Sequence, residues 1–251
     1  MSLPVLQLPS AIRACLFDLD GVLTNTASVH REAWKEMFDV FLRVRATREG
    51  GTFVSFDPAR DNDEYIDGMQ RYDGVRSFLL SRGIELPEGS DDDPAGVDTI
   101  RGLGNRKNEI LLALFHRRGV QPYEGSVRFV QAVRVAGLRR AVVSASANCS
   151  EVLQAAGIAD LFEAQVDGIV AARDHLRGKP AADMFLAAAR IVGVLPGQAA
   201  VFEDALAGVA AGRSGGFGFV VGVDRVGQAD ALRARGADVV VSDLADLLGP
   251  A

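Results

Sequence analysis

The sequence predicts an α/β fold, a doubly wound parallel sheet interrupted by a helical insertion, on three observations. From residue 122 onward, short apolar runs alternate with amphipathic stretches at the spacing of βα units. A further apolar run stands alone at residues 13–17. Between the two lies a stretch with helical periodicity and no convincing strand. The composition fits, because 251 residues with 48% hydrophobic and 24% charged content can bury a large core. Such a chain is too apolar for disorder, and its uncharged stretches are broken by Gly, Ser and Thr short of a membrane span. A net charge of −6 supplies no global positive field. Nucleic acid and anionic membrane are therefore not expected partners, and an anionic ligand must be held by a local site.

Taken in order, residues 13–17 form the first strand. In the insertion, residues 29–45, 63–82 and 107–118 carry apolar residues at helical spacing. Their joints are a Gly/Asp/Pro-rich section, 50–63, and an acidic section, 88–98. Asp91, Asp92 and Asp93 lack the spaced ligands and Gly turn of a calcium loop and read as solvated. The second part alternates helix 124–136, strand 140–144, helix 150–156, strand 164–166, helix 181–192 and strand 199–202. Helix 205–211, strand 217–223, helix 228–235 and strand 239–241 complete it, and several helices end near a Gly that can take the left-handed stop. The expected domains are a sheet core, 1–25 with 119–251, and a helical domain, 26–118. Ligands of such sheets sit beyond the carboxyl ends of the strands. Cys15 and Cys149 offer neither a disulfide framework nor metal spacing, and no signal core is found at the N-terminus, so packed thiols and a reducing cytoplasm are expected. Of the 27 basic residues only Lys35, Lys107 and Lys179 are lysines, which makes each a candidate for a special role.

The chemistry is concentrated at the predicted strand ends. The first strand runs into Asp18-Leu19-Asp20-Gly21, two carboxylates two residues apart. Like charges so close need a cation or a division of labour. Asp18 can attack phosphorus as a carboxylate nucleophile, Asp20 can give and take a proton at the departing and arriving oxygens, and Gly21 permits the sharp turn. After Val142 and Val143 come Ser144, Ser146 and Asn148, leading into a helix whose free N–H groups favour an anion. Gly178-Lys179-Pro180 supplies a lysine able to neutralise a phosphoryl oxygen and the nucleophile together. Glu203 and Asp204, adjacent at a strand end, suit a hard divalent cation. Singly, each has a bland rival as a helix cap, a surface charge or an acidic first turn.

This order of motifs resembles the haloacid dehalogenase superfamily of phosphotransferases, with a Rossmann-like core, along the whole chain. The resemblance implies that Asp18 is the nucleophile, Asp20 the acid/base, Ser144 the phosphate-binding hydroxyl and Lys179 the neutralising lysine. Asp18, Asp204 and the Asp20 carbonyl, beside Glu203, would hold Mg²⁺. Members that cleave carbon–halogen bonds generally lack the second acid, so Asp20 favours phosphoryl transfer.

Within that superfamily, Thr26-Ala27-Ser28-Val29-His30-Arg31-Glu32-Ala33-Trp34-Lys35 resembles the start of the cap in β-phosphoglucomutases. Gln70-Arg71-Tyr72-Asp73 and Asn105-Arg106-Lys107-Asn108 resemble that subfamily's distal-phosphate and sugar-facing segments. The implied substrate-binding residues are His30, Trp34, Arg71, Lys107, Ser146 and Asn148, and the implied substrate is a small phosphorylated sugar. Without the resemblance, His30 and Trp34 read as packed helix residues and Arg71 as a surface charge. Three departures stand out: Ala147 where the subfamily often has Lys, Asn25 where an acid is common, and joints longer than in compact members. The expected protein is a cytoplasmic monomer that interconverts β-glucose 1-phosphate and glucose 6-phosphate through a bisphosphate. A sugar-phosphate phosphatase using the same Asp18 and Asp20 is the rival. A catalytically silent phosphosugar-binding protein ranks third, because every catalytic position is filled.

Overall fold

The structure, a computed structural model, describes residues 5–249; residues 1–4 and 250–251, the ends of the expected core, lie outside the described residues. Two compact units divide the chain. One holds the stretch through Asn25, Gly68–Gln70 and everything from Val120 on, and the other holds Thr26–Asp67 and Arg71–Gly119.

In chain order, β1 (Ala14–Phe17) is followed by the helices α1 (Ala27–Glu49), α2 (Arg60–Tyr65), α3 (Arg71–Ser81) and α4 (Ile100–Arg118). Then come α5 (Glu124–Val135), β2 (Arg139–Val143), α6 (Cys149–Ala155), β3 (Ala164–Val166), α7 (Gly168–Arg173) and α8 (Asp183–Ile191). The remaining elements are β4 (Ala199–Glu203), α9 (Leu206–Ser214), β5 (Phe219–Val223), α10 (Ala229–Ala234) and β6 (Val239–Val241).

The six strands form one sheet in the order β3-β2-β1-β4-β5-β6, and every pairing is parallel. Strand β1 lies inside that sheet and is fully buried, as a continuous apolar strand covered on both faces must be. The order reverses between β1 and β4, which is the switch point where a crevice opens beyond the strand ends. Register fixes what lines that crevice. Phe17 pairs with Val142 on one side and Phe202 on the other, so Asp18 emerges level with Val143 and Glu203. Phe17 stacks on Phe202 at 4.6 Å and meets Phe129 edge-on at 6.3 Å, a buried aromatic layer beneath the strand ends. Leu16, Val143, Val201, Phe185 and Val209 belong to a second buried cluster.

The helical unit has its own core. Trp34 stacks on Phe38 and Phe38 on Phe56, at centroid distances of 5.5 and 5.4 Å, and Phe56 meets Phe78 edge-on at 5.0 Å. Phe56 comes from the long connection after α1, which is thereby anchored. The helix expected over 63–82 is instead two, because Gly68 adopts a left-handed backbone (φ 76°) between them. Helix α4 starts at Ile100 rather than 107: Thr99 caps it by accepting the Gly102 N–H at 2.9 Å, although Gly102 and Gly104 weaken the helical signal there. Helix α7 was not expected, and its start is set by Asp167, which accepts the N–H groups of Ile169 and Val170 at 3.0 and 2.9 Å. Among the described residues, no helix is long and apolar enough to cross a membrane.

Candidate active site

Four segments of the sheet unit converge where β1, β2 and β4 end. Asp18 donates its backbone N–H to the Phe202 carbonyl at 2.9 Å, continuing the ladder one step past β1. The chain then turns tightly: Leu23 and Thr24 both donate backbone N–H groups to the Leu19 carbonyl at 3.0 Å, and Gly21 donates to the Thr24 carbonyl at 2.8 Å. Gly21 has φ 90°, and a Cβ there would sit 1.8 Å from Asp204 Oδ2. Glycine is thus demanded twice, by the turn and by the approach of the Asp204 carboxylate.

Lys179 is buried and its ammonium pairs with both Asp18 Oδ1 and Glu203 Oε1. It follows Gly178 and precedes a cis peptide bond to Pro180. Burial works against its charge, but the Asp18 and Glu203 carboxylates outweigh that and hold its pKa above the ordinary lysine value. Asp18 is pushed the other way from a simple ion-paired acid. Burial raises its pKa, Lys179 pulls it back, and Glu203 and Asp20 raise it again. Two carboxylates, Asp18 and Glu203, therefore share the ammonium of Lys179, a charge imbalance that a bound cation would relieve.

The residues fit such a cation. Carboxylate oxygens of Asp18, Glu203 and Asp204 lie within 4.8 Å of one another, all three residues buried, and they are the hard oxygen donors that Mg²⁺ takes. Glu203 is otherwise engaged, since its Oε2 accepts the Ala205 N–H at 2.9 Å and its Oε1 faces Lys179. Gly208 makes room for it, because a Cβ there would overlap the Glu203 carboxylate at 1.8 Å. Sequence reasoning grouped Glu203 with the metal ligands and missed its place as the second partner of Lys179; only its adjacency to the metal pair was visible in one dimension.

Ser144, buried, follows β2 and accepts the Ser146 N–H through its Oγ at 3.1 Å; Ser146 Oγ in turn accepts the Asn148 N–H at 3.2 Å. These bonds curl the backbone of residues 144–148 into the start of α6, and Ser146 and Asn148 are half-buried. Cys149 begins that helix, but burial pushes its thiol well up, as it does that of Cys15, so neither is a reactive thiolate.

The residues singled out in the insertion also gather, within the helical unit. Lys107 is buried, its Nζ 3.0 Å from His30 Nδ1 and 4.7 Å from the centre of the Trp34 ring. Trp34 is itself core, stacked on Phe38. Arg71 opens α3, lies 4.9 Å over the Tyr72 ring and donates to the Tyr72 hydroxyl at 3.2 Å, which donates to Asn105 Oδ1 at 2.9 Å. Its buried Nε has no hydrogen-bond acceptor among the described residues.

Known proteins resemble the chain over nearly its whole length. A family model for haloacid dehalogenase-like hydrolases matches residues 12–216. A β-phosphoglucomutase of Mycobacterium tuberculosis is 57% identical over 247 residues, 97% of this chain and 94% of that protein. A β-phosphoglucomutase of Bacillus subtilis is 32% identical over 236 residues, 94% of this chain and 92% of its own length. Among solved structures, the β-phosphoglucomutase of Clostridium difficile superposes with a TM-score of 0.74 at 26% identity, covering 94% of this chain and 93% of its own.

Proposed function

The chain belongs to the haloacid dehalogenase-like hydrolases, and on that premise we propose that it is a Mg²⁺-dependent β-phosphoglucomutase. It interconverts β-glucose 1-phosphate and glucose 6-phosphate through an aspartyl phosphate and a sugar bisphosphate. The observation that carries phosphoryl transfer is the convergence of Asp18, Lys179, Glu203 and Asp204 at the strand ends. The choice of a mutase is supported by the relatives.

Asp18 is the nucleophile and, once phosphorylated, the donor. Lys179 neutralises charge on the phosphoryl oxygens, held in place by Glu203. Ser144 binds a phosphoryl oxygen through its hydroxyl, with Ser146 and Asn148 beside it. Asp20 removes the proton from the sugar hydroxyl that accepts the phosphoryl group and returns one to the sugar oxygen that leaves. Asp18, Asp204 and the Asp20 carbonyl would hold Mg²⁺, with Glu203 beside them, and the ion supplies electrostatic stabilisation of the transferring group. For the non-reacting phosphate the assignment is Arg71, a guanidinium paired with no carboxylate among the described residues; Ala147 supplies no second cation there. His30, Trp34 and Lys107 belong to sugar recognition. A monomer in a reducing cytoplasm completes the proposal, consistent with two buried free cysteines.

The decisive measurement is turnover of β-glucose 1-phosphate with and without priming by glucose 1,6-bisphosphate. The expected product is glucose 6-phosphate, and Arg71→Ala should slow its formation by roughly 100-fold while leaving release of phosphate from small monophosphates within a few-fold. Free glucose and phosphate as the only products would replace the mutase by the phosphatase.

A further inference from the structure

The connection between β5 and α10 carries none of the motifs, yet it reaches two of them. Arg225 donates from Nε to the Gly21 carbonyl at 3.0 Å, and from Nη1 to the Ser242 carbonyl at 2.7 Å and Asp243 Oδ2 at 3.2 Å. Its guanidinium lies 3.7 Å from the centre of the Tyr123 ring, which keeps the plane fixed. Three residues on, Gln228 donates from Nε2 to the Asp204 carbonyl at 3.0 Å. The connection is itself rigid. Asp224 Oδ1 accepts the N–H groups of Val226, Gly227 and Gln228 at 3.2, 2.7 and 2.9 Å, and its Oδ2 accepts that of Ala229 at 3.1 Å. One short segment therefore holds the main chain just after Asp20 and the main chain of Asp204, the two loops that meet where Gly21 faces the Asp204 carboxylate.

We propose that Arg225 is a positioning residue for the acid/base Asp20: its hydrogen bond to the Gly21 carbonyl fixes the turn on which the Asp20 carboxyl is carried. Asp20 is half-buried and one residue from the bonded peptide, so a loosened turn displaces its carboxyl while Asp18 stays on the sheet ladder. A displacement of about 1 Å is enough to cost on the order of 100-fold in a proton-transfer step. The inference rests on the reading of Asp20 as the proton donor to the departing sugar oxygen.

The test separates proton-assisted from unassisted departure. Phosphorylation of Asp18 is followed by rapid quench at saturating Mg²⁺, with a sugar phosphate that the unaltered protein turns over and with acetyl phosphate, whose acetate leaves without a proton. Arg225→Ala should slow the sugar phosphate by about 30-fold and acetyl phosphate by less than about 3-fold, and Arg225→Lys should recover part of the difference. Equal slowing of both donors, or no slowing of either, overturns the proposal and leaves Arg225 a residue of the fold. Should Arg225→Ala fail to fold, the same ratio is read from Arg225→Lys. Asp20→Asn serves as reference: if it too slows both donors equally, the acid/base reading of Asp20 fails and takes this one with it, whereas selectivity in Asp20→Asn but not at Arg225 refutes the positioning role alone.

Discussion

The sheet unit and the helical unit use charge in opposite ways. At the strand ends the backbone places the charged groups: parallel register sets Asp18 beside Glu203, and Lys179 is brought to both. These groups crowd like charges together, so they gain reactivity and contribute little to stability. In the helical unit, long side chains tie irregular backbone to helices. Asp39 on α1 accepts the Phe56 N–H at 2.7 Å and pairs with Lys35 at 2.8 Å, Asp61 pairs with Arg82 at 2.6 Å, and Glu88 is gripped by Arg76 and Arg101 at 2.8 and 3.1 Å. Charge in these ties is structural. The contrast implies a double dissociation: removing a core charge should cost activity without stability, and removing a helical-unit tie should cost stability without chemistry.

The largest expected effect is at Asp18. Asp18→Asn should lower turnover by a factor on the order of 10⁴ or more, because the substituted amide cannot accept the phosphoryl group. Thermal or urea unfolding of the same variant should show no loss of stability, since the substitution removes one of several mutually repelling carboxylates and Lys179 keeps Glu203 as its partner. A clear fall in the unfolding midpoint would show that the cluster stabilises the fold and would erase the contrast.

A second expected effect tests the other side. Asp61 is almost wholly buried, and it accepts the Asp57 N–H at 2.9 Å as well as pairing with Arg82. Asp61→Ala should destabilise the helical unit by about 2–3 kcal/mol, leaving a half-buried guanidinium and a backbone donor without their acceptor. The check is urea unfolding, with an earlier transition for the helical unit. Phosphorylation of Asp18 by acetyl phosphate should keep its rate in folded protein; a large loss there would tie the two units more closely than the contrast allows.

The same difference explains what could be read from one dimension. The sheet and the proposed site segments were legible because buried parallel strands are short apolar runs: Asp18, Ser144 and Asp204 directly follow β1, β2 and β4, and Lys179 sits in a Gly-Lys-Pro connection between α7 and α8. Asp18, Ser144, Lys179 and Asp204 needed no knowledge of long-range contacts to be singled out. The insertion was less legible. A periodic stretch over 63–82 hid the break at Gly68, and Gly102 and Gly104 masked the first turn of α4, whose glycines answer to close packing: a Cβ at 104 would lie 2.6 Å from the Tyr72 ring. The Phe56 N–H on Asp39, Arg82 on Asp61, and Arg76 and Arg101 on Glu88 come from twelve to twenty-one positions away, at separations no local pattern encodes. Arg225 was invisible for another reason, because in a chain whose basic residues are nearly all Arg, one more arginine carries no signal.

The smallest expected effect concerns Lys35, the lysine with no assigned binding or catalytic role. Its Nζ reaches Asp39 Oδ2 at 2.8 Å, Ser55 Oγ at 2.7 Å and the Phe56 carbonyl at 3.0 Å, so it ties α1 to the connection that delivers Phe56 into the helical core. Its side chain is 42% exposed, and solvent screens the pair with Asp39. The Phe56 N–H keeps Asp39 as acceptor without it, and the Phe56 ring stays packed against Phe38 and Phe78. Lys35→Ala should therefore cost about 1 kcal/mol or less in urea unfolding, with the loss shrinking as salt is raised and turnover unchanged. A loss of several kcal/mol would mean that the ammonium, rather than the aromatic ring, is what seats the connection.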